Sequence, residues 1–425
     1  MKRAIYEQLL KWKASKGHKP LILEGARQVG KTYIINEFGK KEYSKYAYFN
    51  FDSDSSLSLI FKDNLDIDRI LLALSASIGF KIDSETLVFF DEIQTCDRAI
   101  TSLKYFCEEK NDIDVIAAGS LLGLYYSEGT GFPVGKVDFL KMYPMSFKEF
   151  LVANKEELIV DLIIKKDYDT IKLLKDKIEH YFKIYCFVGG MPEVVKRYIE
   201  TYDFNEVTRL QKGILRSYDL DFSKHAKNGK LEKIRMVWNA IPMELSKNNK
   251  KFKYGDLKKG ARAKDFEDAI EFLKDAGLIY VINNIKKWNL LIKTYEDTNI
   301  FKIYALDVGL LSNMNSVPAN IINDMDKIFA EYKGSLAEQF VLSQIFANGI
   351  ENVFYYNDAT SRNEIDFVIE ESRNIVPIEV KAGINLKAKS LANVIEKYNL
   401  KKAIRYSLAD HKVNDIIEDI PLYCI

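Results

Sequence analysis

The chain has 425 residues, nearly half of them apolar, with 25 Tyr and 25 Phe. One hydrophobic core rarely grows past ~250–300 residues, so two or three domains are expected. A formal net charge of +1 excludes a global basic field that would draw the chain to nucleic acid or membrane, though not a local basic groove.

The cysteines (Cys96, Cys107, Cys186 and Cys424) form no C-x-x-C pair, and His18, His180, His225 and His411 are scattered. Reduced, structural thiols are expected, and no zinc site. The N-terminus, from Met1 to Glu7, enters a helical pattern with no apolar signal core. No apolar run approaches the ~20 residues of a membrane span. The expectation is a cytoplasmic protein without membrane contact.

Over residues 1–155, short apolar runs alternate with amphipathic stretches. Strands are predicted at Leu21–Leu23, Tyr46–Phe51, Leu87–Phe90 and Val115–Ala118. Such continuous apolar strands between helices indicate a parallel sheet covered on both faces. After the first strand comes Gly25-Ala26-Arg27-Gln28-Val29-Gly30-Lys31-Thr32, a complete G-x-x-x-x-G-K-[ST] P-loop opening a helix. Its backbone N–H groups and helix N-terminus suit the phosphates of ATP. Lys31 can reach the β- and γ-phosphates, and the Thr32 hydroxyl can ligate Mg²⁺. Phe89-Phe90-Asp91-Glu92 puts Asp91 at the C-terminal end of a strand, where open α/β sheets bind ligands. Asp91 is the expected Mg²⁺ ligand and Glu92 the residue that polarises the attacking water. Ser120, after the next strand in Ala117-Ala118-Gly119-Ser120, is a candidate contact to the γ-phosphate or the water.

Residues 156–330 read as mostly helical. Phe266, Ala269, Ile270 and Leu273 recur at helical spacing, Ala276-Gly277 stops the helix, and Leu278–Ile282 reads as a strand. Helix, turn and wing in this order suggest a winged-helix segment. Lys258, Lys259, Arg262 and Lys264 could meet phosphates, but Asp265, Glu267, Asp268 and Glu271 follow on the same helix and would repel them. Lys286 and Lys287, next to Trp288, leave non-specific DNA contact open. Earlier in the same region, Gly189-Gly190-Met191-Pro192-Glu193 reads as a helix start, with Pro at an early position. It serves either as a nucleotide-sensing hinge or as a simple capped end.

Residues 331–425 return to α/β alternation, with a helix near Gly334–Phe346 and strands at Val353–Tyr356, Glu364–Glu370 and Ile375–Lys381. Alternation puts Asp366 on the opposite face from Ile365 and Phe367, and Glu379 on one face with Lys381. If these strands pair, the three converge. Two carboxylates can hold a divalent metal, and an adjacent Lys can stabilise charge in phosphodiester hydrolysis.

The sequence resembles the prokaryotic AAA-type ATP-binding proteins that carry an uncharacterised C-terminal domain. The P-loop carries the likeness, with Phe90-Asp91-Glu92-Ile93-Gln94 and Ala118-Gly119-Ser120-Leu121-Leu122. Tyr143–Phe150 (YPMSFKEF) and Gly189–Glu193 (GGMPE) match as well. Asp366 and Glu379-Val380-Lys381 look like the D…E-x-K signature of restriction-endonuclease-like folds, with Glu338 as the helical glutamate many such folds carry. One departure is Lys136, where members usually carry Arg before the Tyr-Pro-Met-Ser-Phe stretch. Lys lacks the bidentate fork of an arginine finger, and Arg216 is the alternative candidate.

These readings add up to an α/β chain in three parts. They are a P-loop AAA-type domain at 1–155, a helical winged-helix segment at 156–330, and a small nuclease-like domain at 331–425. The expected function is Mg²⁺-dependent ATP binding and hydrolysis, coupled to a C-terminal domain that binds or cleaves DNA or RNA. Two alternatives stay open: a nucleotide-dependent switch whose inactive C-terminal domain binds a protein partner and cuts nothing, and a DNA-binding regulator using the winged helix; a homo-oligomer is open as well.

Overall fold

Each predicted apolar run becomes a strand. We describe residues 1–119, 131–226, 229–247, 250–318, 325–358, 363–384 and 389–425 of a computed structural model; Ser120 lies outside them. The chain divides into a unit of Met1–Tyr143 with Asp275–Gly277, and a unit of Pro144–Lys274 with Leu278–Ile425.

The first unit holds β1 (Leu21–Glu24), β2 (Lys45–Asn50), β3 (Thr86–Asp91), β4 (Asp114–Ala118) and β5 (Asp138–Lys141). They form one sheet in the order β2-β3-β4-β1-β5. Every ladder is parallel. The helices α1 (Ile5–Ala14), α2 (Lys31–Glu42), α3 (Leu57–Ile60), α4 (Ile67–Ile78) and α5 (Asp97–Glu109) accompany it. All six residues of β3 are buried, as a central parallel strand requires. Phe90 packs edge-on against Phe51, Phe61 and Phe106 at 5.6–6.0 Å between ring centres. This aromatic cluster fixes the strand whose last residue is Asp91.

The second unit is helical up to Lys274, then mixed. Ser146 and Glu149 form a reciprocal capping box at the start of the helix Phe147–Ala153, which explains the Ser-x-x-Glu in the Tyr-Pro-Met-Ser-Phe stretch. Eight strands follow: β6 (Ile279–Ile285), β7 (Glu296–Ala305), β8 (Val353–Asn357), β9 (Glu364–Glu371), β10 (Asn374–Val380), β11 (Ala403–Ser407), β12 (Lys412–Asn414) and β13 (Ile417–Pro421). They form one sheet in the order β12-β13-β11-β10-β9-β8-β6-β7. It mixes antiparallel ladders, such as β8–β9 and β9–β10, with the parallel pairs β10–β11 and β11–β13. The β6–β7 hairpin, read from sequence as a wing, joins this sheet beside β8. No helix among the described residues is long and apolar enough to cross a membrane.

Candidate nucleotide site and a second carboxylate site

The loop between β1 and α2 has the backbone a phosphate cradle needs. Gly25 and Gly30 have φ of +152° and +97°, and Gln28 also lies in the left-handed region at +67°. A Cβ on Gly25 would come within 2.4 Å of the Met142 carbonyl oxygen, so only glycine fits there. Gly30 caps the N-terminus of α2 and leaves its first N–H groups free of a side-chain cap, available to an anion. The buried Arg3 guanidinium donates to the carbonyls of Val29 (2.9 Å) and Tyr143 (2.7 Å), pinning the loop from behind. Nothing in local spacing pointed to Arg3.

Lys31 Nζ donates to the Gly25 and Ala26 carbonyls at 2.7 and 2.9 Å. Burial lowers its pKa to about 8, against the pull of Glu92 and Asp91. The Thr32 hydroxyl donates to Asp91 Oδ2 at 3.0 Å, so the two expected Mg²⁺ ligands already touch. Tyr48 Oη, on the neighbouring strand β2, donates to the same oxygen at 3.0 Å. Burial raises the Asp91 pKa, and the Tyr48 and Thr32 hydrogen bonds oppose that rise. Glu92 sits in the left-handed region at φ +52°, and its Oε2 accepts from the Gln94 amide at 2.5 Å. A non-glycine residue held there is strained, and the strain turns Glu92 out of the strand direction immediately after Asp91. The loop, hydroxyl and carboxylate are a donor set suited to a Mg²⁺-nucleotide.

Of the two arginine-finger candidates, one already has an ion-pair partner. Lys136 pairs with Glu108 of α5 at 2.9 Å on the surface. Arg216 is exposed on the helix Phe204–His225.

In the second unit, the Gly-Gly-Met-Pro stretch binds a buried carboxylate. Asp307 Oδ2 accepts from Gly190 N at 2.7 Å, and Oδ1 accepts from Leu310 N at 3.0 Å, capping the helix Val308–Met314. A Cβ on Gly189 would lie 2.1 Å from Asp307 Oδ1, and its φ is +75°. Gly190 O accepts from Met145 N at 2.6 Å, and Tyr185 Oη donates to Met145 O at 2.5 Å. Two motifs that are far apart in sequence thus share one hydrogen-bonded clamp. Pro192 is the first residue of the helix Pro192–Thr201, as read.

The four C-terminal candidates do come together. β9 and β10 pair antiparallel with Ile378 opposite Phe367, which sets Glu379 beside Asp366. Val380 N donates to Asp366 Oδ2 at 2.8 Å. Lys381 Nζ lies 2.5 Å from Glu379 Oε1. Glu379 Oε2 is buried with no hydrogen-bond partner. Burial, then the charges of Glu338 and Glu379, push the Asp366 pKa well up. Burial also raises Glu379, with Lys381 opposing it.

Three further residues were not read from sequence. Lys302, on β7, is fully buried and lies 2.6 Å from Glu364 Oε1. Lys250 pairs with Glu338 Oε1, and Tyr304 Oη donates to Glu338 Oε2 at 2.9 Å. Burial would raise the Glu338 pKa, but Lys250 and Lys302 outweigh it and the net shift is downward. The only sequence signal for Lys302 and Tyr304 was polar residues in the apolar strand Phe301–Ala305, and Lys250 had none. Among the described residues, no three acidic, histidine or cysteine side chains form a group that could enclose a metal ion.

The cationic residues around the proposed wing are mostly engaged. Lys286 pairs with Asp297 at 3.4 Å, and Lys287 lies over the Tyr295 ring. Trp288 is buried, packed against Tyr356 and Tyr398 at 5.1 and 5.5 Å between ring centres. Its place is in the core of the sheet, not on a nucleic-acid surface.

Residues 17–151 match the family model of an AAA domain. Residues 179–320 match a domain of unknown function, DUF8612, and residues 333–425 match another, DUF4143. No curated protein matches the chain. Among solved structures, the Walker-type ATPase PABY2304 of Pyrococcus abyssi is similar at 13% identity and a TM-score of 0.44, over 73% of this chain and 94% of that one. C. elegans PCH-2 is similar at 16% identity and a TM-score of 0.22, over 37% of this chain and 43% of that one. Residues 17–151 thus carry a P-loop in a region that matches an AAA domain, followed by regions that match two domains of unknown function.

Proposed function

We propose that this chain is a Mg²⁺-dependent ATPase whose nucleotide state acts on a C-terminal domain of restriction-endonuclease-like fold that takes nucleic acid as its ligand. The observation that carries the ATPase half is the contact of Thr32 Oγ1 with Asp91 Oδ2 beside a complete P-loop. Thr32 and Asp91 would hold a Mg²⁺, which would supply charge neutralisation at the phosphates. The protein's own part is to receive the phosphates on the loop N–H groups and to bring Lys31 onto their outer oxygens. Lys31 must leave the Gly25 and Ala26 carbonyls to do this. Glu92 accepts the proton of the attacking water or orients it, from the strand end next to Asp91.

For the C-terminal half, support comes from the order of helix Met325–Ala347, β8, β9, β10, helix Lys389–Tyr398 and β11. Asp366 and the Glu379-x-Lys381 pair stand side by side within it. The orphaned Glu379 Oε2 suits a cation, since a buried oxygen without a partner is costly. Asp366 and Glu379 would hold a divalent metal, which supplies charge stabilisation at a phosphodiester; Lys381 would orient the nucleophile. A second reading keeps the ATPase and makes the C-terminal domain a binding module that cuts nothing. It is favoured by the lysines already bound to Glu338 and Glu364. The winged-helix regulator has least support, because Asp268 holds Lys230 and Glu271 holds Lys274 on the helix that would face DNA.

The test has two arms. ATP hydrolysis should be lost in Lys31→Ala and in Glu92→Gln. DNA and RNA, incubated with Mg²⁺ or Mn²⁺, should be cut by the wild type and left whole by Asp366→Ala. If both proteins leave them whole, the cleaving domain gives way to the binding module.

A further inference from the structure

The carboxylate site of the second unit is built from elements that no D…E-x-K spacing connects. Lys302 comes from β7 of the hairpin, Lys250 from the segment between the helices Leu231–Ser246 and Tyr254–Leu257, and Glu338 from the helix Met325–Ala347. Lys302 has no exposed surface, and a Lys is almost never buried so completely without carboxylates to hold it. It pairs with Glu364 and is also drawn by the charges of Glu338 and Asp366. Glu338 is saturated from the other side, one oxygen by Lys250 and the other by the Tyr304 hydroxyl. Asp366 and Glu379 differ from it. Asp366 has one backbone donor, and Glu379 keeps a buried oxygen with no partner although Lys381 holds the other.

A helical glutamate beside two strand carboxylates would ordinarily complete the coordination of a second cation. Here an ammonium group already pairs with Glu364 and feels the charges of Glu338 and Asp366. We infer that Lys302 acts as a fixed cation in this site, so that the site takes one divalent metal, on Asp366 and Glu379, and Glu338 is a positioning residue and not a metal ligand. This rests on the nuclease-like reading of the C-terminal domain and narrows it. A single metal on two carboxylates keeps most of its coordination for water and a phosphate oxygen, the usual state of Mg²⁺. The hairpin is then part of the site, and the lysine ties it to β9 by a buried ion pair.

The experiment counts Mn²⁺ bound to the nucleotide-free full-length chain by electron paramagnetic resonance of the free ion. The count for Asp366→Asn is subtracted to remove any metal bound elsewhere. The wild type should show a difference of one ion per chain, and Glu338→Gln should bind it within about threefold of the wild-type affinity, because the amide keeps the Tyr304 contact. Lys302→Met should bring the difference to two. If Lys302→Met does not fold, Glu338→Gln decides alone. A wild-type difference of two, or a loss of tenfold or more in Glu338→Gln, overturns the inference and leaves the nuclease-like reading standing. A wild-type difference of zero removes that reading as well. A folded Lys302→Met protein that stays at one ion also overturns the inference.

Discussion

Replacing Asp307 by Ala should destabilise the second unit more at pH 5 than at pH 7. The carboxylate is buried and accepts from Gly190 N and Leu310 N. Removing it orphans two N–H groups, one of them the helix cap, at about 1–3 kcal/mol for each buried donor. Against this stands the cost of burying a charge, which raises the carboxyl from its usual 3.8 to about 6. The folded pKa lies above the unfolded one, so the folded state holds an extra proton between those values. The wild type therefore gains stability as pH falls through 6 and loses it as pH rises through the same range. At pH 7 the gain is close to zero; one unit below the folded pKa it is about 1.4 kcal/mol. Alanine has no such proton. The expected destabilisation is up to about 3 kcal/mol at pH 7 and about 1.4 kcal/mol more at pH 5. Urea unfolding at both pH values, followed by fluorescence of Trp238 and Trp288, measures it. An equal loss at the two pH values, or a greater one at pH 7, would refute the buried-carboxylate argument.

Other outcomes follow from the same geometry. Lys31→Ala should lower ATP affinity by at least tenfold, read by fluorescent-nucleotide titration. Glu92→Gln should bind ATP within about twofold of wild type yet lose about 100-fold or more in turnover, as removal of a general base does; equal turnover would remove Glu92 from that role. Gly189→Ala should cost about 3 kcal/mol in the unfolding assay, since its Cβ meets Asp307 Oδ1 at 2.1 Å from a left-handed backbone. Thr32→Val should raise the Mg²⁺ concentration needed for half-maximal hydrolysis several-fold while leaving metal-free nucleotide binding near wild type.

The nucleotide site was largely legible because its parts are local. Gly25 to Thr32 is one continuous segment, and Asp91 and Glu92 follow an uninterrupted apolar strand. The strands β1 to β4 appear where buried runs predicted them, within a residue or so at each end. β5 was missed for a physical reason: its burial alternates, so only two of its four residues are even partly enclosed, and so short a run has no periodicity to read. Arg3 was invisible because its partners, Val29 and Tyr143, are known only once the chain is folded.

The second unit was legible in its strands and helix starts but not in its charges. Alternation in β9 and β10 gave Asp366, Glu379 and Lys381 correctly as neighbours. Lys302, Lys250 and Tyr304 reach the same cluster from elements 34 or more residues away from Glu338 in sequence. The Gly-Gly of the Gly-Gly-Met-Pro stretch was explained only by partners distant in sequence, Asp307 against Gly189 and the Met145 backbone against Gly190. The burial of Trp288, beside the two lysines that left DNA contact open, was hidden for a similar reason. The sheet that buries the ring is assembled from strands much later in the chain.

The central claim is that nucleotide turnover at the P-loop is linked to nucleic acid at the C-terminal domain. The most direct measurement is the steady-state ATP hydrolysis rate of the full chain in Mg²⁺, with and without DNA or RNA, beside Lys31→Ala as a blank. The account predicts turnover that depends on Lys31 and changes several-fold when nucleic acid is added. Hydrolysis at the same rate in its presence and absence would contradict the coupling, and no hydrolysis above the Lys31→Ala blank would contradict the ATPase itself.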